Sequence, residues 1–185
     1  MPKDVDQIVV GANGTLSVAP EGTTLPDDID EALDSAFIDL GYTSEDGATL
    51  TDAKTVESIP VWQLFYPARR IVTERDFTIG FVLRQWFRDS FALAFGGGTF
   101  SSTANGFKFA PPDPEDLDVR AVVLAWADGD NNYRVTCAKM FVTDNVETNL
   151  VRSGAADLPI SLGIIGSDTG DPWNFYTDDD AFAAS

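Results

Sequence analysis

The residue types able to do chemistry are few in this chain and poorly placed for it. There is no histidine, which removes Ser-His-Asp and Cys-His nucleophiles and every histidine metal site together. The single cysteine, Cys137 in YRVTCAKMF, cannot form an intrachain disulfide. It reads as a small buried strand residue, since no imidazole is present to activate it. Asp128-Gly129-Asp130-Asn131-Asn132 begins like a calcium loop. Tyr133, however, stands where the sixth-position glycine is needed, and Lys139 where the twelfth-position glutamate is needed; a hairpin turn is expected instead. Carboxylate pairs such as Asp27-Asp28 and the run Asp178 to Asp180 lie in solvated stretches, where nothing sets one carboxyl apart from its neighbour as acid and base. The glycines of 11–14 and 96–98 lack the lysine of a phosphate loop. No catalytic constellation, metal site or cofactor site is expected.

What remains is chemistry of contact. Trp62, Phe65 and Tyr66 lie beside Arg69 and Arg70, between Pro60 and the basic stretch that follows. Those residue types suit a core patch with snorkelling arginines, or a protein–protein hot spot. Their place between two loop-like segments favours the second. Arg75 and the acidic pair Glu45 and Asp46 complete the candidate interface set.

These residues need a scaffold, and its clearest part follows them. Phe77, Ile79, Phe81 and Leu83 alternate with Thr78, Gly80, Val82 and Arg84, the period of a strand with one apolar face. Phe87, Phe91, Ala94 and Phe95 then fall on one side of a short helix, stopped by Gly96-Gly97-Gly98. So short a helix must pack its aromatic side onto something, and a sheet core is the expected partner.

Upstream, residues 8–19 predict a strand, an Asn13-Gly14 hairpin turn and a second strand. Residues 28–35 predict about two turns of helix, and Glu45-Asp46-Gly47 a turn between strands. Residues 50–58 are extended but polar on both faces, so they are either a mobile loop or a segment ordered by a partner. Downstream, TFSSTANGFKFAPPDPEDLD reads as a polar connection and DVRAVVLAW as a strand buried on both faces. Residues 133–143, 145–152 and 158–166 alternate as further strands. The closing PWNFYTDDDAFAAS packs its aromatics and then frays, giving a flexible acidic tail from about residue 177. The sum is a mainly-β sandwich or barrel of about eight strands with one flanking short helix. It forms a single domain over 1–185, with a long loop or arm at about 42–75.

A chain of 185 residues can bury one real core. No run of about 18 apolar residues occurs, and the start MPKDVDQIVV lacks the pattern of a signal peptide, so no membrane association is expected. The formal charge is −18, distributed as −11 over residues 1–58, +3 over 59–110 and −10 over 111–185. Such a surface repels nucleic acid. It suits solubility or a salty cytoplasm, and equally a basic middle that meets the acidic flanks of a neighbouring copy.

Several stretches in this order resemble the major tail tube proteins of long, non-contractile-tailed bacteriophages, especially those of actinobacterial hosts. They are VGANGTLSVAPEGTTLP, FIDLGYTSEDGATL, WQLFYPARRIVTERDFTIGFVLRQWFRDSFALAFGGG, DGDNNYR, LPISLGIIGSD and PWNFYTDD. The resemblance implies a structural subunit of the virion, assembled in the host cytoplasm, with neither enzyme activity nor cofactor. Six copies would close a ring and share strands in an inner β-barrel, and rings would stack head to tail. The partners implied are further copies, a tape-measure protein in the lumen, tail-terminator and distal tail or baseplate proteins at the ends, and genomic DNA passing without specific binding. The competing reading is a monomeric β-sandwich that binds a ligand or carbohydrate through Trp62, Trp86 or Trp173. A carboxylate-based glycosidase is a third, weaker reading.

Overall fold

The computed structural model describes residues 7–166 and 170–183. The MPKDVD start, the Ser167-Asp168 end of one resembling stretch and the last two residues of the acidic tail lie outside the described residues. In chain order the elements are β1 (Ala12–Pro20), β2 (Ile38–Asp39), β3 (Thr43–Ile59), β4 (Arg69–Leu83), α1 (Arg88–Ala94), β5 (Thr99–Thr103), β6 (Gly106–Ala110), β7 (Arg120–Asp128), β8 (Asn131–Val142), β9 (Leu158–Ile164) and β10 (Trp173–Thr177).

Eight strands form one antiparallel sheet in the order β2-β1-β7-β8-β9-β4-β3, with β10 also paired to β8. The branch lies on β8. Tyr133 to Cys137 pair with β10, and Met140 to Val142 pair with β9. Strands β9, β4 and β3 thereby fold over β1, β7 and β8, and the inward residues of both parts meet. Leu16, Val18, Val122, Leu124, Val135 and Cys137 share one core cluster with Phe77, Ile79, Phe81, Leu83, Ile160 and Leu162. Alternation is the reason: on each strand every second side chain points to the same face. The sandwich class and the apolar face of residues 77–83 agree with the sequence.

Other expectations are corrected. Asn13-Gly14 does not reverse the chain; β1 runs through it. Asn13 takes φ +52 while the register against β7 slips between Ala12 and Thr15, so the left-handed freedom serves a bulge. Glu45-Asp46-Gly47 likewise lies inside β3, where pairing moves from Thr43↔Leu83 to Ala48↔Phe81. Residues 28–35 form no helix. The Asp28 and Asp34 carboxylates accept from the N–H groups of Ile29 and Ala36, the local bonding by which aspartate competes with helix. The polar connection after Gly98 is the hairpin β5–β6. Residues 145–152 form no strand, and Leu150 is exposed.

The helix and the tail also differ. α1 ends as expected, with Gly96 N–H on Leu93 O and Gly97 N–H on Ala92 O, the pattern of a glycine-closed helix. Its buried residues, however, are Ser90, Leu93 and Ala94. Phe87 packs against the core. Phe91 instead meets Phe109 and Phe100, at 5.1 and 5.9 Å between ring centroids, and Phe95 is partly exposed. The side is thus divided: Phe87 and Ala94 pack on the main core as expected, while Phe91 and Phe95 lie against β5–β6. The start of the acidic tail is bonded to β8. Asp178 accepts from Asn132 N (2.6 Å) and Nδ2 (2.7 Å), and Tyr133 OH donates to Asp179 (2.7 Å).

Candidate assembly surface

The stretch read as a long loop or arm at 42–75 is a β-hairpin whose loop is confined to residues 60–68. Thr78 to Leu83 of β4 lie between β3 and β9. From Asp76 back to Arg69, β4 pairs with β3 alone, so about seven residue pairs leave the body, or roughly 23 Å at 3.3 Å per residue. Threonines and valines such as Thr51, Thr55, Val56 and Val72 favour the extended form on both strands. A two-stranded ribbon is marginal by itself, and this one is clamped at its root. Arg75 makes two hydrogen bonds to the Asp52 carboxylate, and Lys54 Nζ lies 3.3 Å from the same group. The Arg75 hydrogen bonds, with a smaller contribution from Lys54, hold the Asp52 carboxyl down at about 2.

At the far end, Ala68 N–H donates to Ile59 O at 3.0 Å and closes the loop. Pro60 and Pro67 keep its backbone out of any ladder. Trp62, Phe65 and Tyr66 are 99%, 107% and 84% exposed, so the alternative of a core patch is excluded. Arg69 and Arg70 are exposed beside them and make no ion pair or side-chain hydrogen bond among the described residues. Large apolar rings standing free in water mark a surface that awaits a partner.

The hairpin gathers Trp62, Phe65, Tyr66, Arg69 and Arg70 and separates the other candidates. Arg75 sits partway down, engaged with Asp52. Glu45 and Asp46 lie on the bulge at the base, roughly 36 Å of strand from the tip. The tryptophans of the ligand-binding alternative are not gathered either. Trp173 stacks on Phe77 of the core at 4.6 Å, Trp86 donates its indole N–H to Ala156 O at 2.7 Å, and Trp62 stands at the tip. Sequence reasoning missed Asp52; the only available signal was its opposite charge to Arg75, which means nothing until the register is known. Cys137 is fully buried, and burial pushes its thiol up to about 12.

β3 is one end of the sheet order, β2 being the other, and among the described residues no strand pairs with its outer edge, leaving a row of backbone donors and acceptors free to pair with another chain. No helix among the described residues is long and apolar enough to cross a membrane. The family model described as phage tail tube protein matches residues 1–185. No curated protein matches the chain.

Proposed function

The chain belongs to the phage tail tube protein family, and from this premise we propose that it is the repeating ring subunit of a long, non-contractile tail. Membership makes it a structural component of the virion and not an enzyme. In the proposed assembly six copies close a ring, rings stack head to tail around a tape-measure protein, and genomic DNA later passes down the lumen. Tail-terminator and distal tail or baseplate proteins bind the ends, and the host is an actinobacterium.

The observation that carries this reading is the hairpin tip. Trp62, Phe65, Tyr66, Arg69 and Arg70 stand at the end of a long ribbon with no cover among the described residues. They form the proposed subunit contact. The free edge of β3 supports strand sharing between copies, because ring closure removes edges. Head-to-tail contacts do not close on themselves and so grow filaments. The net charge of −18 suits a conduit that does not hold phosphates.

Negative-stain electron microscopy of the concentrated protein tests the reading. Hollow tubes or six-fold rings are the expected result. Small monodisperse particles at every concentration, with and without a tail-tip complex as nucleus, would count against it.

A further inference from the structure

One corner of the domain offers an uncovered apolar groove. There α1 meets β5 and β6, and Phe91, Phe100 and Phe109 pack together, with 4.9 Å between the Phe100 and Phe109 centroids. Beside them lies an open groove of about 490 Å³ walled by Trp86, Phe87, Phe91, Phe100 and Phe107. Phe107 is 81% exposed. Trp86 is fixed by its bond to Ala156 O, so the wall is preformed. Around α1, the loop joining β6 to β7 borders Phe95 and presents exposed Asp113, Glu115 and Asp116. None of these three acids has an ion-pair partner among the described residues.

We propose that this groove receives the aromatic hairpin tip of a second copy of the chain, with Arg69 and Arg70 of that copy directed at Asp113, Glu115 and Asp116. The contact rests on the self-assembly reading above and names the surface its tip meets. Two features select this occupant. The tip and the groove are both rich in aromatics, and Trp62, Phe65, Tyr66 and Phe107 lack cover among the described residues. The charges also complement one another, with two arginines at the tip and three acids in the loop that borders Phe95, none of them in an ion pair among the described residues. Arg88 lines the groove itself, so like charge turns the tip's arginines toward the acidic loop and fixes the orientation.

Crosslinking between differently tagged copies tests the contact without removing any aromatic residue. One copy carries Leu64→Cys in the tip and the other Ser102→Cys in the groove wall. The native thiol, Cys137, is buried and does not react. A short bismaleimide added after assembly should yield heterodimers bearing both tags, with none when Ser102→Cys is replaced by Leu150→Cys on an exposed segment elsewhere. In parallel, Phe107→Ala should raise the concentration needed for assembly about tenfold, with an unchanged circular dichroism spectrum. Assemblies that give no tip-to-groove crosslink, or that tolerate Phe107→Ala without change, overturn this contact alone. A wild-type chain that stays monomeric under all conditions overturns the self-assembly reading and the contact with it.

Discussion

Asp52 and Arg75 are joined by two parallel hydrogen bonds, Nε to Oδ1 at 3.1 Å and Nη2 to Oδ2 at 3.0 Å. They are not opposite one another. Asp52 faces Phe77 and Arg75 faces Lys54, so the guanidinium reaches diagonally across the ribbon, as long side chains can. Phe77 is the last core residue of β4 before the ribbon leaves the body, and it stacks on Trp173. The ion cluster therefore begins where apolar packing ends.

The clamp should survive into strong acid. The Asp52 carboxyl is lowered from 3.8 to about 2, so its contribution is present above 3.8 and is lost as pH falls through about 2. Carboxyl-carbon NMR should give a midpoint well below that of an ordinary aspartate. A midpoint near 3.8 would mean that the pair does not persist in solution.

Trp62→Ala should leave folding intact and stop assembly. The side chain is 99% exposed, so stability should change by no more than about 0.5 kcal/mol. Tube or ring yield by sedimentation should fall to background, while the melting curve stays in place. Wild-type yield would remove the tip from the interface.

Tyr133→Phe should loosen the closing segment without disturbing the sandwich. The ring is buried and stacks on Trp126, while only its hydroxyl reaches Asp179. That hydrogen bond raises the tyrosine above its usual 10.0; its contribution is complete below pH 10 and is lost as pH rises through the raised value. Asn132 lowers Asp178 at the acid end, first through its backbone N–H, so that bond is lost only as pH falls below the usual carboxylate range. Amide exchange at Ala181 should quicken in Tyr133→Phe. Unchanged exchange would show that the Asp178 bonds and the aromatic contacts hold the tail without this hydroxyl.

Gly98→Ala should damage the β5–β6 corner. Gly98 sits at φ +105, and an added Cβ would lie 2.6 Å from Ala110 O and 2.7 Å from Phe109 Cζ. Strain and overlap together should cost about 2 kcal/mol, lowering the melting temperature by about 4 to 8 °C. Because Phe109 lines the packing behind the groove, the variant should also assemble poorly. A melting temperature unchanged from wild type would contradict the close approach.

Much was legible locally. Alternation at Phe77, Ile79, Phe81 and Leu83 fixed a strand and its inner face, and the glycines after Phe95 fixed the end of α1, because both depend on neighbours in sequence. The same local signals misplaced two reversals. Asn13-Gly14 and Glu45-Asp46-Gly47 permit a left-handed residue, and a bulge uses that permission as readily as a turn does. Residues 145–152 alternate without forming a strand, since alternation needs a sheet beside it to have consequence.

By itself the sequence determined that the chain is mainly β, that it lacks the groups for histidine-based catalysis, and that its aromatics and arginines concentrate near residues 62–70. These follow from residue types and short-range periodicity. Only the tertiary structure decided that residues 43–83 form one long ribbon, that Asp52 clamps it to Arg75, and that Phe91 faces Phe100 and Phe109 rather than the main core. Each of those depends on pairing register between distant segments. A shift of one residue exchanges every inward side chain for an outward one, and no local pattern records which register the whole chain selects.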